Sequence, residues 1–233
     1  MKYFITGGSG LLGERLATVA KENDELTLAH NSNPSENTIK CDITNEQEVI
    51  NTIEKEKPDV IIHCAAMTNV DLCEDEKEIA YKVNGDGTGF LAKAANKIGA
   101  KIIYVSTDFV FDGNRGYYKE NEAVNPLGIY AKSKYEGEVQ LEKYSENWAI
   151  ARVSVLYGWH SRPNFTTWVI DQLRQKNEIN IVTDQVNSPT LADNAAEAIY
   201  KIAEKDKRVF SILQEMMQSI DSILLKKLLM HLI

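Results

Sequence analysis

Short apolar runs alternate with amphipathic stretches along this chain, and the period of the pattern switches at regular intervals. Runs of period two or of unbroken apolar character predict strands at Lys2–Thr6, Leu26–Ala29, Val60–Ala65, Ile102–Ser106 and Ala149–Val155. Between them, helical spacing predicts helices over Leu11–Lys21, Glu46–Lys57, Lys77–Ile98 and Ile129–Glu146. Thr44 or Asn45 stands where the second helix needs a cap; Pro58 closes that helix and Gly99 stops the third. Runs such as Val60-Ile61-Ile62 present no polar face, so both faces must be covered, as in a parallel sheet with helices on each side.

The first strand leads straight into TGGSGLLG, Thr6 to Gly13, in which Gly7, Gly10 and Gly13 recur at three-residue spacing before a helix. Glycines there permit a tight turn and close approach of a ligand, and they leave open N–H groups at the helix start, a combination that suits a pyrophosphate. Taken alone the motif is an ordinary glycine-rich turn; at the first strand-to-helix turn of a βα array it predicts a dinucleotide site. The expected fold class is α/β, a doubly wound parallel sheet of Rossmann type. Residues 1–150 form its dinucleotide-binding core, and residues 151–233 are a mixed remainder of further sheet strands and a small C-terminal substrate lobe.

The second strand runs out into Ala29-His30-Asn31-Ser32, with neither the carboxylate that binds the ribose diol of NAD nor a basic group for a 2′-phosphate. Absence of the carboxylate removes a repulsion, so the expected cofactor is NADP or NAD with NADPH favoured. Asp42-Ile43 could cover the adenine edge or form a polar turn before the helix.

At 233 residues, 43% apolar and 26% charged, the chain can bury one sizeable core plus a small lobe. A net charge of −8, with 26 Lys and Arg scattered among 34 acids, argues against a nucleic-acid partner. The glycine turn comes too soon for a signal-peptide core and no apolar run of membrane-spanning length comes after it, so no membrane partner and a cytoplasmic location are expected. Cys41, Cys64 and Cys73 show no C-x-x-C spacing and read as buried thiols, with no metal site. His63, inside an apolar strand, reads as a satisfied core histidine, and His160 as a loop residue without a partner.

Tyr130-Ala-Lys-Ser-Lys134 carries the sharpest chemical signal. On a helix, positions i and i+4 share a face, and an ammonium beside a phenol is expected to lower the phenol's pKa so that it trades a proton with a substrate oxygen. The motif is common on exposed helices, but here it comes after Tyr104-Val-Ser-Thr-Asp108, a strand ending in hydroxyls at the carboxyl edge of the sheet. Thr107 is placed to donate to a carbonyl that gains charge as hydride arrives.

These segments, with HCAAMTNVDLCE, VNGDGT, YVSTDFVFDG, RVSVLYG and TDQVNSPT in that order, resemble the extended short-chain dehydrogenase/reductases, and within them the dTDP-4-dehydrorhamnose reductases, over roughly Met1 to Phe210. The resemblance implies reduction of the 4-keto group of a nucleotide-linked deoxysugar by NAD(P)H, with a nucleotide sugar as substrate and a homodimer as an admissible assembly. It implies that Tyr130 protonates the forming alkoxide, that Lys134 holds the nicotinamide ribose and keeps the phenol acidic, and that Thr107 orients the keto oxygen. Gly10, Leu11 and Leu12 would line the pyrophosphate, His30 and Asn31 the end of the second strand, Asp42 and Ile43 the adenine, and Cys64, Ala65 and Ala66 the nicotinamide side. Asp108, Asn164 and Phe165 would face the sugar nucleotide, with Val155 where similar chains often carry an aromatic wall.

The chain departs from the family after Phe210. From Ser211 it reads as an apolar amphipathic helix with a stripe of Ile220, Ile223, Leu224, Leu228 and Leu232. A substitute last helix or a partner-binding stripe would explain it. The favoured explanation is a shifted reading frame, because alternative codons through Glu215-Met-Met-Gln218 can encode the family's strand, glycine turn and Asn-Arg helix entry. On that reading the substrate lobe is incomplete. Two rival functions stand beside the reductase: a non-catalytic, NADP-binding regulatory subunit of the methionine adenosyltransferase beta type, and a sugar-nucleotide epimerase or dehydratase. Dehydration wants an acid-base pair beside Thr107, where Asp108 supplies one carboxylate.

Overall fold

The computed structural model describes residues 1–182, 185–205 and 208–213, and the backbone of 219–220. In chain order the elements begin β1 (Lys2–Thr6), α1 (Leu11–Val19), β2 (Glu25–His30), β3 (Thr38–Lys40), α2 (Glu46–Glu56), β4 (Val60–His63), α3 (Val70–Asp75) and α4 (Lys77–Tyr81). A π-helical turn (Lys82–Asp86) joins α4 to α5 (Gly87–Ile98), followed by β5 (Lys101–Thr107), a 3₁₀ turn (Asp108–Val110), α6 (Ile129–Tyr144) and β6 (Trp148–Val153). The remainder is β7 (Leu156–Tyr157), α7 (Phe165–Arg174), β8 (Val186–Asn187), β9 (Thr190–Leu191), α8 (Ala192–Ala203), β10 (Val209–Leu213) and β11 (Ser219–Ile220).

Seven strands form one sheet in the order β10-β6-β5-β4-β1-β2-β3, and every pairing in it is parallel. The order reverses at β1: the chain proceeds outward to β2 and β3, then returns to β4 on the other side. That reversal opens a crevice at the carboxyl ends of β1 and β4, the place where such sheets bind ligands. Along β4, alternate residues feed opposite faces. Val60 and Ile62 join Leu16 of α1 and Ile199 of α8, whereas Ile61 joins Ile53 of α2, Leu91 of α5 and Leu141 of α6. The unbroken apolar strands are thus buried on both faces, as their composition requires.

Local signals explain the boundaries. The Asn45 side chain accepts from the Glu48 N–H at the start of α2, and Gly99 takes φ 73° to end α5. The helix expected as one piece over Lys77–Ile98 is interrupted, because the wide turn at Lys82–Asp86 buries Asn84 completely. Glu74 and Asp75 belong to the last turn of α3.

The tail needs a correction. Ser211–Leu213 do not begin a helix; they complete β10, in register with Ala151–Val153 of β6. Ser219–Ile220 pair antiparallel with Val186–Asn187. Ser219 and Ile220, expected in the same helix, are thus strand; the remainder of that helix, with Ile223, Leu224, Leu228 and Leu232 of its stripe, and Thr183 and Asp184 lie outside the described residues.

Candidate active site

The glycine turn is shaped by backbone. Gly7 adopts φ 66°, and a Cβ there would stand 2.8 Å from the Ala65 nitrogen; at Gly13 it would stand 2.4 Å from the Gly7 carbonyl oxygen. No side chain fits at either position, so β1, α1 and the segment after β4 approach closely. Gly10 begins α1 without any side-chain cap, which leaves the first-turn N–H groups directed at the crevice. Beyond it, His30 at the end of β2 keeps a buried Nδ1 with no hydrogen-bond partner. An uncapped helix, a cradle without side chains and an orphaned imidazole nitrogen beside it fit an elongated dinucleotide.

The other expected cofactor residues divide. Asn31 is exposed beside His30. The Asp42 carboxylate accepts from both the N–H and hydroxyl of Thr44, as in a polar turn, and Ile43 is 4% exposed, packed in the core against Gly87. Cys64 and Ala65 form the wall facing Gly7, with the Ala65 N–H donating to the Thr6 hydroxyl at 3.2 Å, and Ala66 follows them in the chain. Burial pushes the Cys64 thiol up to about 12, so it stays protonated.

Beneath this wall His63 is fully buried between two hydroxyls, Thr6 Oγ1 at 2.7 Å from Nδ1 and Thr88 Oγ1 at 3.1 Å from Nε2. The Thr88 hydroxyl already donates to the Asn84 carbonyl, so it accepts from Nε2–H, and the Thr6 hydroxyl donates to Nδ1. Desolvation, with the nearby Lys134 ammonium, lowers His63 to about 3 and keeps it neutral. It is the satisfied core histidine that the sequence suggested.

Tyr130 and Lys134 lie one turn apart on α6, and Thr107 ends β5 below them. The Thr107 hydroxyl lies against the Tyr130 phenol, and Phe109 packs edge-on to its ring at a centroid distance of 6.0 Å. The expected effect of lysine on tyrosine is not what the geometry gives. Burial pushes the phenol up to about 12, with the Thr107 hydroxyl lowering it in part and Asp108 adding to the rise. Lys134 is itself fully buried, donates from Nζ to the Val105 carbonyl at 2.8 Å, and is lowered by desolvation to about 7, with Glu138 opposing that fall.

A second row of residues, to which the sequence pattern did not point, holds this pair. Glu138, one turn beyond Lys134, accepts from Ser106 at 2.6 Å and from Arg152 at 2.7 and 3.0 Å, with every partner buried. Asn84 accepts from the Met67 N–H and donates to the Ser133 hydroxyl, fixing the start of α6 against the segment after β4. The i+4 spacing of Tyr130 and Lys134 was read from the sequence; Glu138, one turn further on, was not, and an arginine inside an apolar strand gave no sign of being its partner.

On the substrate side, Asp108 hydrogen-bonds the Thr107 hydroxyl at 3.3 Å, and its carboxyl is raised chiefly by burial. Val155 adopts φ 35°, a strained backbone for a β-branched residue, where the chain turns from β6 to β7. Asn164 is engaged as the cap of α7: its amide donates to the Gly158 carbonyl at 2.7 Å and its oxygen accepts from Thr167 N–H. Phe165 stands beside Trp168 at 6.2 Å. His160 does have partners, contrary to expectation: Nε2 lies 3.3 Å from Glu14 and 3.3 Å from the Ser9 carbonyl. Among the described residues no cluster suits a metal ion, and no helix is long and apolar enough to cross a membrane.

The family model described as the RmlD substrate binding domain matches residues 1–215. The chain belongs to that family. The RmlD-type match agrees with the extended short-chain dehydrogenase/reductase fold of the seven-stranded sheet. A dTDP-4-dehydrorhamnose reductase from Aggregatibacter actinomycetemcomitans is 37% identical over 205 residues, covering 88% of this chain and 68% of that protein. The methionine adenosyltransferase 2 subunit beta of Danio rerio is 33% identical over 208 residues, 88% of this chain and 64% of that one. Among solved structures, a Bacillus anthracis dTDP-4-dehydrorhamnose reductase in complex with NADP superposes with a TM-score of 0.91 at 31% identity, covering 99% of this chain and 80% of that one. The protein is an RmlD-type oxidoreductase that binds a nicotinamide dinucleotide.

Proposed function

We propose that this RmlD-family protein reduces the 4-keto group of a dTDP-linked 6-deoxysugar, with dTDP-4-dehydrorhamnose as the leading substrate. The observation that carries the reading is the Thr107 hydroxyl lying against a half-buried Tyr130 phenol at the carboxyl edge of β5, in the sheet whose crevice the uncapped start of α1 also faces. A bound NAD(P)H supplies the hydride. Thr107 donates to the keto oxygen and orients it; as that oxygen gains charge, Tyr130 delivers its proton. A phenol raised to about 12 holds that proton throughout the neutral range, which suits a donor in the reducing direction. Lys134 stands one turn along the same helix, where a ribose hydroxyl could replace the Val105 carbonyl as its acceptor. Asp108, Val155, Asn164 and Phe165 are proposed as the sugar-nucleotide wall, and His30 with Asn31 as the adenosine ribose contact. The lack of an acid at the end of β2 favours NADPH over NADH, and a cytoplasmic location goes with such a substrate.

The test is a reductase assay with dTDP-4-keto-6-deoxysugars and each cofactor, run beside Tyr130→Phe. Loss of turnover by roughly 10²–10⁴-fold in the variant, with cofactor affinity kept, is expected; equal rates would discard the mechanism. The regulatory-subunit reading is favoured by the 33% identity to the Danio rerio protein. Tight NADPH binding without turnover of any such sugar, together with association with a methionine adenosyltransferase, would select it.

A further inference from the structure

The loop between β7 and α7 runs over the glycine turn and is fastened there at several points. The Arg15 guanidinium donates to the Trp159 carbonyl at 2.8 Å, and His160 reaches the Ser9 carbonyl and Glu14. Gly158 sits so close to α1 that a Cβ there would meet Leu11 at 3.3 Å. Arg162 carries the loop's charge into the cradle. Its Nη2 donates to the Ser9 carbonyl and lies 3.8 Å from where a Cβ on Gly10 would stand. No carboxylate among the described residues ion-pairs with that guanidinium. A cation with no carboxylate bound to it thus stands over an uncapped helix start, the nearby Glu14 being taken up by His160, and cation and helix start favour the same dianion.

We propose that Arg162 grips the pyrophosphate of the bound dinucleotide and thereby ties cofactor occupancy to the loop that leads into Asn164 and Phe165. This rests on the assignment of the crevice to a dinucleotide. A guanidinium already held by the Ser9 carbonyl keeps further N–H donors to offer phosphate oxygens, so the contact forms without moving the backbone. The chain continues from Arg162 into Pro163 and the Asn164 cap of α7. Fixing Arg162 on the cofactor therefore sets the first turn of α7, and the dinucleotide is expected to bind before the sugar nucleotide.

The experiment is a binding titration of the full chain, with Arg162→Ala and Arg162→Lys beside the parent, using NADPH and 2′-AMP as ligands. 2′-AMP shares the adenosine end and lacks the pyrophosphate. Arg162→Ala is expected to weaken NADPH by roughly 10- to 50-fold, with Arg162→Lys in between and 2′-AMP affinity unchanged within about twofold. Equal NADPH affinity in parent and Arg162→Ala overturns the proposal, as does a parallel loss for 2′-AMP, which would mean general damage to the crevice. A parent that binds neither NADPH nor NADH removes the dinucleotide assignment itself and is thereby told apart from failure of the Arg162 contact.

Discussion

The Lys134 ammonium sits 4.1 Å from the centroid of the Tyr104 ring, buried between α6 and β5. The ring face and the Val105 carbonyl are what this cation has in place of water, and its lowered pKa of about 7 shows that they compensate burial only in part.

Lys134→Met should therefore stabilise the ligand-free protein while abolishing activity. The Lys134 amine holds its proton below about 7 in the folded chain and below 10.5 in the unfolded one. Between those values the unfolded chain holds more protons, so parent stability falls as pH drops, and the full penalty applies below about 7. The variant should gain about 1–3 kcal/mol at pH 6, on the order of 2–10 °C in Tm, and little near pH 10. Thermal melts at the two pH values check this; a lower Tm for the variant at pH 6 would contradict it.

Removing one member of the buried Glu138–Arg152 pair leaves the other charge stranded. Glu138→Gln and Arg152→Met should each cost about 3–5 kcal/mol, whereas Glu138→Leu with Arg152→Met should recover most of it. Denaturant midpoints for the three chains give the comparison. Additive losses in the double variant would deny the pairing.

His63 should make the protein acid-sensitive. The folded imidazole stays neutral down to about 3, whereas its ordinary value is 6.5. In that window the unfolded chain takes up a proton that the folded one refuses, so stability declines as pH falls from about 6.5. His63→Asn should lose about 1–2 kcal/mol at pH 7, because Thr6 and Thr88 lose partners, yet its Tm should change less between pH 6.5 and 4. Parallel Tm curves would count against this account.

Gly13→Ala tests the cradle. Its methyl would press on the Gly7 oxygen and the Gly8 backbone, neither of which can yield without opening the turn. A loss of about 1–3 kcal/mol in stability and a weaker NADPH complex are expected together. Calorimetry of folding and of binding reads both, and an unaffected Kd would separate the turn from the ligand.

How far the chain announced all this depended on the range of the cause. β1 was legible to the residue, and α1, α2 and α6 to within a few residues at their ends, because period, caps and glycine stops act locally. α3 is a six-residue helix, too short to show a period, and the Asn164–Thr167 capping box that opens α7 passed unread. In the site, residue types were legible: a phenol, an ammonium and a hydroxyl at the right edge. Their proton affinities were not, since Tyr130 rises and Lys134 falls through burial, a property of neighbours far along the chain. Arg152 hid for the same reason, its partner being fourteen residues away across a helix-strand contact.

The wide turn at Lys82–Asp86 also governs how this segment can change length. Each residue added to a helix rotates the downstream chain by about 100°. Deleting one position there would leave a continuous rod, yet Thr88 would swing away from the His63 imidazole and Gly87 away from Ile43, exposing a buried ring and opening a gap beside the core. Loss of one residue at Asn114, in an exposed bend, disturbs nothing comparable. Evolution can therefore replace side chains around Lys82–Asp86 far more readily than it can remove a codon from it.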